Sequence, residues 1–120
     1  MKLILFAMVL GIMLFGCASK EPTVPPSGKV VEINLVAKQF EFSPSTINVK
    51  KGDHVKIILT SMDTTHGFSI PEFNVNKQVS PGSTSVIEFN ADKSGTFEFH
   101  CSVFCGSGHS EMMGKLVVEE

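Results

Sequence analysis

The feature that most constrains the fold is a series of short runs in which apolar and polar residues alternate. The first run, residues 31–37, carries an apolar side chain at every second position. Such a period of two is typical of a strand with one buried face. Similar runs follow, separated by turn-forming pairs such as Pro81-Gly82 and Ser94-Gly95; they lie at residues 47–49, 55–59, 86–89, 97–101 and 116–118. About six or seven short strands and no long helix predict an all-β sandwich.

The N-terminal residues differ in composition from this β region. Lys2 precedes an apolar run, residues 3–16, which ends at Cys17. The run is shorter than the roughly 20 residues that cross a bilayer comfortably, but it fits the apolar region of a secretory signal. The residues Leu14-Phe15-Gly16-Cys17 resemble a bacterial lipobox, which implies a signal peptide over residues 1–16 and a lipid on Cys17. An uncleaved anchor, or a plain signal with an incidental cysteine, is the alternative.

Residues 17–29 are then interpreted as the lipidated cysteine and a tether, and residues 30–120 as the folded domain. The tether contains three prolines and almost no apolar side chain, so it cannot bury enough surface to fold. The chain of 120 residues is long enough for one domain. The expected location is the extracytoplasmic face of a bacterial membrane, in the periplasm or on the outer surface, with the lipid as anchor.

The charge balance excludes one class of function. The formal net charge is −2, whereas nucleic-acid binding needs a basic face that neutralises phosphates. We therefore expect no nucleic-acid partner.

The chemistry is concentrated in the segment from Cys101 to Met112. It contains Cys101, Cys105, His109 and Met112, and His66 lies upstream. Thiolate, imidazole and thioether donors favour copper over calcium or magnesium. A mononuclear blue-copper site needs only one cysteine, so the second cysteine indicates two sulfurs that could bridge a pair of metal ions.

The order H…C-x3-C-x3-H-x2-M resembles the CuA site of cytochrome c oxidase subunit II and the corresponding domain of nitrous oxide reductase. The match covers most of residues 30–120, including Asp63-x-x-His66 and Pro81-Gly82. The resemblance implies a Greek-key cupredoxin sandwich with two copper ions. It also implies a role for each ligand: Cys101 and Cys105 bridge, His66 and His109 are terminal, Met112 is axial, and Val103 offers its backbone carbonyl.

The resemblance further implies a function in electron transfer. A membrane-anchored domain of this kind would pass electrons from a cytochrome c-like donor to a membrane oxidase or reductase. It would perform no catalysis itself, although it could be the electron-entry subunit of an oxidase complex. Two departures weaken that last assignment: Val103 stands where the family commonly has Glu, and the chain has no Trp. The glycines Gly106 and Gly108 are expected to let the ligand loop fold tightly, and Phe104 and Phe68 are expected to limit solvent access to the site.

Several alternatives stay open at this stage. Cys101 and Cys105 could form a disulfide, or the cysteines and histidines could bind structural zinc. The protein could also bind and deliver copper without relaying electrons. Among the other candidate donors, His54 is assigned to the surface, His100 to the surface or to supporting a ligand, and Met62 to core or rim packing. Met113 is not chosen as a ligand because the H-x2-M spacing favours Met112.

Overall fold

The computed structural model describes residues 29–120. The interpretations of residues 1–16, of Cys17 and of nearly all of the tether therefore lie outside the described residues. Within residues 29–120, no helix is long and apolar enough to cross a membrane.

Nine strands make up this part of the chain. They are β1 (Val30–Lys38), β2 (Glu41–Ser43), β3 (Thr46–Lys50), β4 (His54–Ser61), β5 (His66–Ile70), β6 (Val75–Val79), β7 (Thr84–Asn90), β8 (Gly95–His100) and β9 (Met113–Glu119). Two single turns of 3-10 helix, Pro71–Phe73 and His109–Glu111, are the helical elements of the described residues. The all-β prediction is confirmed.

The strands form two sheets. One has the order β2-β1-β4-β7 and the other the order β3-β9-β8-β5-β6. The pairs β1–β4 and β3–β9 are parallel, and the remaining pairs are antiparallel. Neighbours such as β1 and β4 are distant in sequence, so the chain must cross between the sheets to build each of them. The result is a β-sandwich with its core between the sheets.

Three strands, β2, β5 and β6, were not anticipated from the sequence pattern. All five residues of β5 are buried, including the polar His66 and Ser69, so polar and apolar positions do not distinguish an outer face from an inner one. In β6 the three central residues are exposed, and at the edge of a sheet this strand shows no alternation. Period-two patterning detects strands with one wet face and fails for both of these cases.

The core is anchored by three phenylalanines that meet between the sheets. Phe42, Phe68 and Phe99 are at most 1% exposed, and their ring centroids lie 5.1 to 5.6 Å apart. Burying one such side chain contributes roughly 1.5–3 kcal/mol. Because Phe68 lies in β5 and Phe99 in β8, this cluster fixes the two strands whose ends carry His66 and Cys101.

Candidate metal centre

The predicted ligands lie on the loop from β8 to β9 and at the start of β5. Cys101 directly follows β8, and Met112 directly precedes β9. The backbone N–H of Cys101 donates to the Met112 carbonyl at 3.0 Å, which closes the loop at its base. Since β5 and β8 are antiparallel neighbours, the first residue of β5, His66, reaches the same end of the sheet.

The loop can lie close to the rest of the protein because it contains glycine at two contact positions. Gly106 has φ +138°, a backbone conformation that L side chains rarely adopt. A Cβ at Gly106 would lie 2.9 Å from the Phe40 ring, and one at Gly108 would overlap that ring. The glycines were expected to let the loop fold tightly, and the structure adds that they admit Phe40.

The two cysteine sulfurs face each other without a bond between them. The Sγ atoms of Cys101 and Cys105 are 3.6 Å apart, far beyond the roughly 2.05 Å of a disulfide. Both cysteines are free, and both are buried. The disulfide alternative is therefore not the arrangement found in this structure.

The other predicted donors surround this sulfur pair. His66 Nδ1 lies 3.9 Å from Cys101 Sγ, and His109 Nδ1 lies 3.6 Å from Cys105 Sγ. Met112 Sδ is 3.7 Å from Cys105 Sγ, and the Val103 carbonyl oxygen is 3.1 Å from Cys101 Sγ. The structure thus brings all six predicted groups together, and the ligand atoms of His66, Cys101 and Cys105 lie within 4.8 Å of one another.

His66 is oriented by the carboxylate of Asp63. The Asp63 Oδ1 atom lies 2.7 Å from His66 Nε2, and the imidazole is fully buried. A carboxylate can only accept, so Nε2 carries a proton, and Nδ1 is the ring nitrogen that faces the sulfurs. A histidine whose far nitrogen is held by a carboxylate is the usual arrangement around a protein metal site.

Asp63 is itself held by several donors. The backbone N–H groups of Gln39 and Thr64 each donate to its carboxylate at 2.7 Å. Burial alone would raise the pKa of Asp63, but these hydrogen bonds, together with the bond and charge of His66, lower the pKa below its usual value. The carboxylate consequently stays ionised as the partner of His66 at neutral pH.

Cys105 is a protonated thiol at neutral pH when no metal is bound. Its pKa is raised to about 11, first by burial and then by the hydrogen bond and charge of Cys101, with a smaller contribution from the Asp63 charge. A metal ion that binds here must therefore displace a proton from sulfur. The donor set fits copper, since two thiol sulfurs, two imidazoles and a thioether are ligands that copper accepts.

The surroundings of the site are less closed than the sequence suggested. Phe104 was expected to limit solvent access, yet its side chain is 79% exposed and stands 5.6 Å from the His109 ring. Phe68, given the same role, is buried in the core. His109 is partly exposed while Met112 is fully buried, so the site has one edge near the surface.

The residues that were not predicted to be ligands are not among the donor groups that surround the sulfur pair. Met113 is 44% exposed beside the fully buried Met112, and Met62 is 71% exposed. His54 bonds to Asn90 and Glu88 on the four-stranded sheet. Two residues that sequence reasoning did not identify as functional, Gln39 and Asp63, touch the site. The spacing Asp63-x-x-His66 was a usable signal for Asp63, whereas nothing in the sequence marks Gln39.

Comparison with known proteins identifies the family of this domain. The family model described as a cupredoxin-like domain matches residues 6–118. The nitrous-oxide reductase of Ralstonia nicotianae is 38% identical over 112 residues, which cover 88% of this chain and 17% of that protein. The cytochrome c oxidase subunit 2 of Thermus thermophilus is 31% identical over 106 residues, which cover 82% of this chain and 78% of the relative.

A solved structure is also similar over nearly the whole chain. A chain from a cryo-EM structure of a heme-copper terminal oxidase dimer superimposes with a TM-score of 0.71 at 28% identity, covering 94% of this chain and 78% of that one. By contrast, this chain spans only about one sixth of the length of the nitrous-oxide reductases that it matches. The similarity to those enzymes therefore concerns one domain of a larger protein.

Proposed function

The chain belongs to the family of cupredoxin-like domains and is homologous to cytochrome c oxidase subunit II and nitrous-oxide reductase, and on that premise we propose that it is an electron-transfer domain with a two-copper centre of the CuA type. The observation that carries the proposal is the pair of free, buried sulfurs of Cys101 and Cys105, 3.6 Å apart. Each sulfur has one histidine Nδ1 as its neighbour. A mononuclear blue-copper site takes one cysteine sulfur as a ligand, so it would not account for the second sulfur.

Each donor has a role in this proposal. Cys101 and Cys105 would be the shared thiolate ligands, His66 and His109 the imidazole ligands, and Met112 and the Val103 carbonyl the weaker ligands. Bound copper would supply a reversible one-electron couple. Structural zinc would explain the cysteines and histidines, but a buried methionine aimed at the sulfurs is not a zinc ligand.

The chain itself would keep the donors still during a change of charge. His66 and Met112 are fully buried, and Cys101 and Cys105 are at most 6% exposed. The ends of the ligand loop are fixed by β8 and β9. Little rearrangement of the ligands is therefore needed, which is what a fast relay requires, and the low solvent access limits how far water must reorient.

The partners follow from the same proposal. The exposed Phe104 beside the partly exposed His109 offers an edge at which a cytochrome c-like donor could approach. A membrane oxidase or reductase would be the acceptor, as suggested by the homology to cytochrome c oxidase subunit 2. The domain would be extracytoplasmic and would not catalyse a reaction alone.

We also propose that residues 1–16 are a signal peptide and that Cys17 carries a lipid, with residues 17–29 linking it to the domain. Acyl chains on Cys17 would hold the chain at the membrane. Mass spectrometry of the N-terminal peptide should then find an acylated Cys17, and C17S should release the protein from the membrane fraction. An unmodified Cys17 in the mature chain would contradict this part of the proposal.

The electron-transfer function is tested by mixing the copper-loaded chain with a reduced cytochrome c and following both absorption spectra. We expect rapid one-electron exchange, reversible on addition of an oxidant. The competing function, copper delivery, predicts instead that copper passes readily to a chelator and that no stable couple is seen. The second outcome would replace the relay with a delivery role.

A further inference from the structure

The turn between β1 and β2 contacts both sides of the metal centre, although it provides no ligand. The backbone N–H of Gln39 donates to Asp63 Oδ2 at 2.7 Å. The side-chain Nε2 of the same residue donates to the Cys105 carbonyl at 2.7 Å. One residue thus joins two loops that lie 24 and 66 positions further along the chain.

Each of these bonds leads directly to a ligand. Asp63 holds Nε2 of His66, so the backbone bond of Gln39 fixes the carboxylate that orients this imidazole. Cys105 carries the sulfur that faces Cys101, His109 and Met112. The carbonyl carbon and the Cβ of Cys105 are both bonded to its Cα, so holding the carbonyl in place limits the movement of the backbone that carries Sγ.

The Cys105 carbonyl accepts its hydrogen bond from the side-chain amide of Gln39. Among residues 29–120, Gln39 is the donor found for this carbonyl, whereas the carbonyls of Gly106 and Gly108 accept backbone N–H groups within the loop. A backbone carbonyl in a part-buried loop needs a partner. The next residue, Phe40, packs against Gly106 and Gly108, so the turn holds the loop through packing as well as through the amide.

We propose that Gln39 is a positioning residue for the metal centre, which sets the place of Cys105 through its side chain and that of His66 through its backbone. The inference rests on the proposed function, since it assigns Gln39 to the same two-copper site. The position requires a neutral donor of this length. A carboxylate at residue 39 would present acceptors to the Cys105 carbonyl, and an apolar side chain would present nothing.

The test compares Q39L and Q39E with Q78E, which makes the same charge change at the other glutamine of the chain. Gln78 lies on the edge strand β6, next to β5, where its backbone pairs with Gly67. Its side chain is exposed and, within residues 29–120, forms no hydrogen bond to Asp63, to Cys105 or to a ligand. The backbone bond from residue 39 to Asp63 is available in every variant. The substitutions therefore isolate the bond to Cys105.

NMR of the metal-free chains tests the hydrogen bond from the Gln39 side chain to the Cys105 carbonyl. We expect the Gln39 side-chain amide protons to exchange more slowly than those of Gln78. The Gly106 amide nitrogen, which shares a peptide with the Cys105 carbonyl, and the Cys105 Cβ should both shift in Q39L and Q39E and not in Q78E. Unmoved resonances in both Gln39 variants would overturn the inference.

In the copper-loaded chains, Q39L and Q39E should lose copper to a chelator roughly fivefold faster, as expected for one lost hydrogen bond. Their electron paramagnetic resonance spectra and reduction potentials should also differ from wild type, which a merely structural role would not change. Wild-type spectra and potentials in both variants would overturn the inference. A wild-type chain without a copper-pair spectrum would defeat the proposed function instead, and the metal-free resonances would then decide the role of Gln39.

Discussion

At the scale of single residues, two adjacent methionines test the assignment of the axial ligand. Met112 is fully buried with its sulfur 3.7 Å from Cys105 Sγ, whereas Met113 is 44% exposed. We expect M112L to raise the reduction potential, because a donor that stabilises the oxidised state is lost. The near-equal volume should keep the cost in stability below about 1.5 kcal/mol. M113L is the matched control, and voltammetry on both should show a shift only in M112L.

The thiol of Cys105 predicts how metal uptake depends on pH. Its pKa of about 11 means that copper must displace the proton at any pH below that value. The apparent copper affinity should therefore increase with pH between 7 and 9, by about tenfold per pH unit for each proton displaced. Competition against a chelator of known affinity at each pH measures this. A flat profile would mean that the thiols are already ionised or are not ligands.

At the scale of elements, the ligand loop depends on its contact with the β1–β2 turn. Gly108 has φ −96°, which any residue can adopt, but a Cβ there would overlap the Phe40 ring. G108A should cost about 1–3 kcal/mol of unfolding free energy through overpacking alone. Urea unfolding of the metal-free chain measures the cost, with S107A at the exposed neighbouring position as control. Equal stability of G108A and wild type would show that the loop does not pack as described.

The pairing of β4 with β7 contains a pH-sensitive contact. His54 on β4 has Nδ1 2.8 Å from Asn90 Oδ1 and Nε2 3.3 Å from Glu88 Oε1, both on β7. The bond to Asn90, followed by that to Glu88, raises the pKa of His54 above its usual 6.5. The stabilisation is fully present at pH values below the pKa of His54 in the unfolded chain. It is lost as the pH rises through the higher pKa of His54 in the folded chain.

Because these side chains are partly solvated, the effect should stay below about 1 kcal/mol. The unfolding free energy of wild type minus that of H54Q should consequently be larger at pH 6 than at pH 8. Taking this difference removes the contribution of the other histidines. A difference that is constant with pH would contradict the assigned hydrogen bonds.

At the scale of the whole molecule, the sequence patterns and the resemblance together predicted the cupredoxin sandwich. They also predicted that six groups of the chain form one metal site. The spacing from Cys101 to Met112 is local, so one short loop can express it. Asp63 lies three residues before His66, so local spacing could have indicated this contact as well. Gln39 belongs to a turn of the other sheet, and its contact with Cys105 depends on how the two sheets are stacked, which sequence spacing does not show.

The exposure of Phe104 also depends on the path of the chain in three dimensions. Its position between Cys101 and Cys105 suggested an apolar shield, but the loop turns its side chain outward, where it is 79% exposed. An apolar residue in a loop can face either way, and only the path of the backbone decides. Period-two patterning did not predict the strands β5 and β6 for a similar reason, because their burial is set by their neighbours in the sheet.

The central claim is that the sulfurs of Cys101 and Cys105 join two copper ions into one redox unit. Electron paramagnetic resonance of the full chain, loaded with copper in detergent and combined with a metal count, tests it most directly. We predict two coppers per chain and one unpaired electron shared equally by both nuclei, with the shared signal lost in C105S. A single copper per chain with its electron confined to one nucleus, in the wild type, would contradict the account.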